Sequence, residues 1–127
     1  MPVTENRTVL IVEDEQELRA LFAHLLEGEQ FVVLQARDGR SALEMLRARS
    51  TEIALMITDL GLPHLGGVEL IERAREIDPA IKIIAISGLG DSRMRGIVLK
   101  AGANAFIPKP FSISDVLSAV RELIVQS

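Results

Sequence analysis

Val9-Leu-Ile-Val-Glu-Asp-Glu15 carries four apolar residues straight into three acids. The apolar part lacks the period-two alternation of a half-exposed strand, so it reads as a strand buried on both faces. The segment after Glu15 has helical period. Leu18, Leu21, Phe22 and Leu25 fall at i, i+3, i+4 and i+7 and form one apolar stripe. Asp14 with Glu17 three residues on has the spacing of a capping box, which predicts Asp14 as the N-cap. The same alternation recurs along the chain. Further apolar runs lie at Phe31–Leu34, Ile53–Ile57, Ile81–Ile86 and Ala105–Ile107. Between them, Ala42, Leu43 and Leu46 mark a second helix entered through Asp38 and Gly39. Val68, Ile71, Ala74 and Ile77 mark a third, ended by Asp78–Pro79 because the residue before proline avoids the helical region. Met94, Val98 and Ala101 mark a fourth with a stop at Gly102, weakened at Gly96 by about 1 kcal/mol relative to alanine. Val116, Val120, Leu123 and Ile124 mark a fifth, entered near Ser112 with Asp115 in its first turn. Five strands alternating with five helices predict an α/β fold, a parallel sheet covered on both faces.

Composition narrows the function. The 127 residues suit one domain, and 48% hydrophobic residues are enough for one core. Residues 1–7 are polar and read as a loose lead-in, with the domain over 8–127. Fourteen basic against eighteen acidic residues give a net charge of −4, which offers no reason to expect direct nucleic-acid or membrane binding. With no cysteine, disulfide scaffolds, Cys-ligated zinc and thiol catalysis are all excluded. Two histidines, His24 and His64, are too few for a His-rich metal site, and both read as surface residues. Apolar runs of about five or six residues fall short of the ~20 that span a bilayer, and the first residues lack a signal pattern. A soluble cytoplasmic domain is expected.

Right-handed crossovers bring the carboxyl ends of parallel strands to one edge, where ligands of such sheets bind. Glu13 and Asp14 come directly after the first run, Asp59 after the third, Ser87 ends the fourth, and Lys109 comes after the fifth. Three carboxylates in one crevice repel by several kcal/mol. A hard divalent cation with oxygen ligands, or the Lys109 ammonium, would relieve that repulsion. Mg²⁺ suits a few carboxylates that leave positions for water and a phosphate oxygen, and an aspartate can attack phosphorus to give an acyl phosphate. Each residue also has an ordinary reading: a helix cap for Glu13–Asp14, a turn former for Asp59, a turn for Ser87–Gly88, a surface charge for Lys109. Their conjunction at one edge favours a single site.

Four stretches carry a resemblance: Val9–Glu15, Ile57-Thr-Asp-Leu-Gly-Leu-Pro63 with Gly67 eight residues after Asp59, Ala85-Ile-Ser-Gly88, and Gly102-Ala-Asn-Ala-Phe-Ile-Pro-Lys-Pro-Phe111. In their order and spacing the chain resembles the bacterial response-regulator receiver domains, from Thr8 to about Val125. The resemblance implies a flavodoxin-like sheet of order 2-1-3-4-5. It implies Asp59 as phosphoacceptor and Asp14 as a direct Mg²⁺ ligand. Glu13 would act through a bound water, and the Gly61 carbonyl would complete the protein's share of the shell. Ser87 would be the hydroxyl drawn toward the phosphoryl group, Phe106 the aromatic switch coupled to it, and Lys109 the phosphate-binding cation. It also implies a cis Lys109–Pro110 bond. Two positions depart from the family pattern: Gly61, where members usually carry a side chain, and Leu89, apolar where some members are polar. Phe106 lacks the hydroxyl of the common tyrosine variant, and by itself also reads as a core aromatic.

The resemblance implies a phosphohistidine donor on a sensor kinase or phosphotransfer domain, and a signalling surface formed by the fourth helix, fifth strand and fifth helix. The reader of that surface would be a downstream protein or a covalently linked output domain, with the chain monomeric or dimerising on phosphorylation. A stand-alone regulator and a piece of a longer regulator or hybrid kinase fit equally. No enzymatic turnover is expected beyond self-directed phosphoryl transfer and autodephosphorylation. A flavin-binding protein of the same topology is disfavoured by Glu13-Asp14-Glu15, which would repel a flavin phosphate. An aspartate-based phosphohydrolase is disfavoured because residue 61 is glycine where the general acid would stand. A degenerate receiver acting as a phosphorylation-independent interaction module is the remaining alternative.

Overall fold

The computed structural model describes residues 7–62, 65–88 and 92–125, so the expectations for Pro63, His64, Leu89 and most of the lead-in lie outside the described residues. Five strands, β1 (Thr8–Val12), β2 (Val32–Ala36), β3 (Leu55–Asp59), β4 (Lys82–Ser87) and β5 (Ala105–Pro108), alternate with five helices. These are α1 (Gln16–Gly28), α2 (Gly39–Ala48), α3 (Gly67–Ile77), α4 (Ser92–Ala101) and α5 (Ile113–Val125). All strand pairs are parallel, in the order β2-β1-β3-β4-β5, as the alternation and the resemblance predicted. No helix among the described residues is long and apolar enough to cross a membrane.

The sheet separates two apolar layers. Leu10, Val12, Met56, Ile83, Ala85 and Phe106 face α2, α3 and α4, where Leu43, Leu46, Leu70, Ile71 and Val98 cover them. Val9, Ile11, Leu55, Ile57, Ile84 and Ile86 face α1 and α5, against Phe22, Leu26, Val116, Val120 and Ile124. This is the period-two consequence of burial on both sides. The strand β2 is the exception. It lies at an edge, and Val32 is 59% exposed.

The ladder begins later and runs further than the apolar runs. Phe31, Ile53 and Ile81 are buried just before β2, β3 and β4, whereas Gln35, Thr58, Asp59 and Ser87 are strand residues. Pairing continues past the last apolar side chain because the neighbouring strand still offers backbone partners, Asp59 standing opposite Ile86 and Ser87 opposite Pro108. Asp59 and Ser87 therefore sit on strand tips, with Glu13, Asp14 and Lys109 just beyond theirs.

Helix ends obey local chemistry, with one correction. Asp38 caps α2 by accepting from the Ser41 N–H at 2.8 Å. Ser112 and Asp115 cap α5 reciprocally: the Asp115 N–H donates to the Ser112 hydroxyl at 3.1 Å, and the Ser112 N–H to the Asp115 carboxylate at 3.2 Å. Gly102, at φ 125°, ends α4 as expected, its N–H reaching the carbonyls of Val98 and Leu99. The expected cap at Asp14 is absent. The N-cap of α1 is Glu15, which makes no side-chain cap bond. The helix starts one residue later than the spacing suggested, because the Glu13 carboxylate takes the Glu15 N–H at 3.0 Å. The buried stripe is Phe22, Ala23 and Leu26, with Leu18 and Leu25 half-buried and Leu21 44% exposed.

Candidate functional site

Glu13 stands just past the last residue of β1, and its N–H still pairs with the Ala36 carbonyl of β2 at 3.0 Å, so its side chain is held at the sheet edge and is 5% exposed. Its own carbonyl is held by Arg19 Nη1 at 2.8 Å, while Arg19 Nε donates to Gln35 Oε1 at 3.2 Å. Arg19 thus braces the loop from the first turn of α1. Its sequence context does not single it out, because an arginine one turn into a helix looks like a solvated charge, and its partner is a backbone atom.

Asp59 ends β3. Its Oδ1 accepts from the Gly61 N–H at 2.8 Å, and its Oδ2 lies 3.4 Å from Lys109 Nζ. That ion pair is looser than a charge-assisted hydrogen bond of about 2.7–2.9 Å. Lys109 is placed by the end of β5, its N–H donating to the Ser87 carbonyl at 2.7 Å, and the Lys109–Pro110 bond is cis. The Leu60 N–H donates to the Ile86 carbonyl at 2.9 Å, extending the β3–β4 ladder past Asp59. Behind this loop α3 packs closely. A Cβ on Gly67 would stand 2.6 Å from Leu60 Cα and 3.2 Å from the Asp59 carbonyl oxygen.

Carboxylate oxygens of Glu13, Asp14 and Asp59 lie within 4.8 Å of one another. At an effective dielectric near 20, two unit charges at that separation repel by about 3.5 kcal/mol. The consequence is felt at Glu13, whose pKa is pushed up to about 7. Burial is the main cause, and Asp14 and Asp59 add to it against the opposing Glu15 N–H. Among the described residues the crevice holds three carboxylates against one ammonium. Among the described residues its donors are all hard oxygens, with no sulfur or imidazole, a set that suits Mg²⁺.

The structure therefore brings Glu13, Asp14, Asp59 and Lys109 together and sets Gly61 against Asp59 through its N–H. Ser87 is 1% exposed at the tip of β4. Phe106 pairs with Ala85, and strand alternation puts Ala85 and Ser87 on the same sheet face, toward α2–α4. Phe106 is 7% exposed within that layer, so it is a core aromatic in this structure whatever else it does. His24 is exposed.

The sequence matches the family model for the response regulator receiver domain over residues 9–121. It is 34% identical over 115 residues to the response regulator RppA of Synechocystis, covering 91% of this chain and 49% of that protein. It is 33% identical over 119 residues to the chemotaxis protein CheY of Thermotoga maritima, covering 93% of this chain and 98% of that one. Among solved structures, a CheX–CheY–BeF3–Mg complex from Borrelia burgdorferi superposes with a TM-score of 0.86 at 27% identity, covering 91% of this chain and 87% of that one. The chain spans about half the length of RppA and of several other curated relatives.

Proposed function

The chain belongs to the response-regulator receiver family, and from that premise we propose that Asp59 accepts a phosphoryl group from a phosphohistidine of a sensor kinase or phosphotransfer domain. The observation that carries this reading is the convergence of carboxylate oxygens of Glu13, Asp14 and Asp59 within 4.8 Å, with the Lys109 ammonium 3.4 Å from Asp59 Oδ2.

An Asp59 carboxylate oxygen attacks phosphorus in line. The P–N bond to the donor imidazole breaks, its electron pair stays on that nitrogen, and an acyl phosphate forms on Asp59. The Gly61 N–H on Oδ1 fixes the rotation of the carboxylate, so that one oxygen faces the incoming phosphorus. Lys109 exchanges its 3.4 Å contact with Asp59 for one with a phosphoryl oxygen, keeping a positive charge where negative charge accumulates. Asp14, Asp59 and the Gly61 carbonyl would hold Mg²⁺, with Glu13 acting through a water. Once bound, the ion neutralises charge on the transferred group. Hydrolysis reverses the modification, water oxygen bonding to phosphorus as the Asp59 oxygen leaves.

Ser87 would hydrogen-bond a phosphoryl oxygen, and Phe106, on the same sheet face, would report that contact to the surface of α4, β5 and α5. A downstream protein or linked output domain would read that surface, with the chain monomeric or dimerising on phosphorylation. No direct nucleic-acid or membrane contact is needed, and the cytoplasm is the compartment in which a kinase donor would meet it.

Incubation with acetyl phosphate and Mg²⁺ followed by intact mass tests the assignment. Wild type gains one phosphoryl group; Asp59→Asn and EDTA-treated wild type gain none. Equal labelling of Asp59→Asn removes Asp59 as acceptor, and no labelling of wild type makes the chain a phosphorylation-independent interaction module.

A further inference from the structure

The guanidinium carbon of Arg95, on α4, lies 5.3 Å from the centroid of the Phe106 ring on β5. A cation at that distance over the face of an aromatic ring is attracted by the ring's quadrupole. Arg95 comes after half-buried Met94 and stands three residues before buried Val98, so it flanks the apolar stripe of α4 where that helix packs on β5. Phe106 is buried, whereas Arg95 is exposed. Among the described residues Arg95 has no carboxylate partner, and the ring is the contact its guanidinium makes.

Resting on the reading of Phe106 as the switch residue, we propose that Arg95 is the latch of that switch. Its guanidinium closes over the ring and holds it in the buried position. It thereby ties the position of β5's aromatic to the outer surface of α4, where Ile97 and Leu99 are 47% and 42% exposed. A ring that rotates outward must first displace the guanidinium, and a partner that engages Arg95 with a carboxylate removes the latch. The buried ring is thus favoured before any phosphoryl group arrives. The bias is that of a solvent-exposed cation–π contact, about two- to fivefold in the ring equilibrium.

The chain has four phenylalanines and neither tyrosine nor tryptophan. Protein made with fluorophenylalanine therefore gives four ¹⁹F resonances, and the spectrum of Phe106→Leu assigns the one of interest. Without phosphoryl donor, Arg95→Ala moves the Phe106 resonance and raises its response to a soluble paramagnetic agent about two- to fivefold. Arg95→Gln, which keeps most of the length without the charge, does the same, and Arg95→Lys falls between. The resonances of Phe22, Phe31 and Phe111 stay in place, which confirms the fold in the same spectrum. A Phe106 signal unchanged in shift and accessibility in Arg95→Ala and Arg95→Gln overturns the latch. The measurement needs no phosphorylation, so it fails separately from the Asp59 assignment: an unlabelled wild type with a moved Phe106 resonance removes the signalling reading and leaves the latch in place.

Discussion

At Glu13 a carboxylate 5% exposed and beside two others has its pKa raised from 4.5 to about 7. In the metal-free protein the folded state keeps this proton between those values, while the unfolded chain has released it. The folded state binds more protons in that window, so the associated stability is complete below pH 4.5 and is lost as the pH climbs through about 7. The loss amounts to roughly 3 kcal/mol at most. Urea unfolding in EDTA at pH 5 and pH 8 should show wild type losing more stability over that interval than Glu13→Gln; equal losses would contradict the buried-carboxylate account. At this scale the acids and Lys109 were legible because each stands within two residues of the end of an apolar run. Arg19 and Gly67 were not, since a bond to a distant backbone carbonyl and a tight helix–loop contact leave no local pattern.

Between elements, Arg75 ties three pieces of chain that the sequence keeps apart. From α3 its Nη1 donates to the carbonyls of Pro79 and Ile81, and its Nη2 to the Gly102 carbonyl at 2.6 Å and to Asn104 Oδ1 at 3.0 Å. Asn104 Oδ1 in turn accepts from the Ile83 N–H at 2.8 Å. The C-terminal end of α4 is therefore anchored to α3 and to the start of β4. Arg75→Ala should cost roughly 2–3 kcal/mol, as loss of charged hydrogen bonds to half-buried carbonyls does. Ser112→Ala should cost about 1 kcal/mol by removing a helix cap. Denaturant midpoints order the two, and an Arg75→Ala protein as stable as Ser112→Ala would show that the anchor is idle. The periodic apolar residues made all five helices and their order readable. The boundaries were less so, because strand ladders extend through polar residues that hydrophobicity does not mark, and because Glu13 takes the N–H of Glu15 just ahead of α1.

Over the whole molecule, an ion held in the crevice would couple metal binding to folding. An ion bound by the native state alone stabilises it by about 2.7 kcal/mol at one hundred times its Kd. Wild type should therefore melt several degrees higher in saturating Mg²⁺ than in EDTA, while Asp14→Asn should show little change. A full Mg²⁺ response in Asp14→Asn would place the ion elsewhere. The two-layer architecture was readable from sequence because both sheet faces are apolar. The crevice was readable because parallel topology gathers strand tips whose separation along the chain is otherwise uninformative. Gly67 lies outside that crevice and yet constrains it from behind. With Leu60 Cα only 2.6 Å from where its Cβ would be, even alanine would shove forward the turn that carries Asp59. A receiver with every acid and its lysine intact could thus be silenced by one added methyl group on the opposite side of the wall.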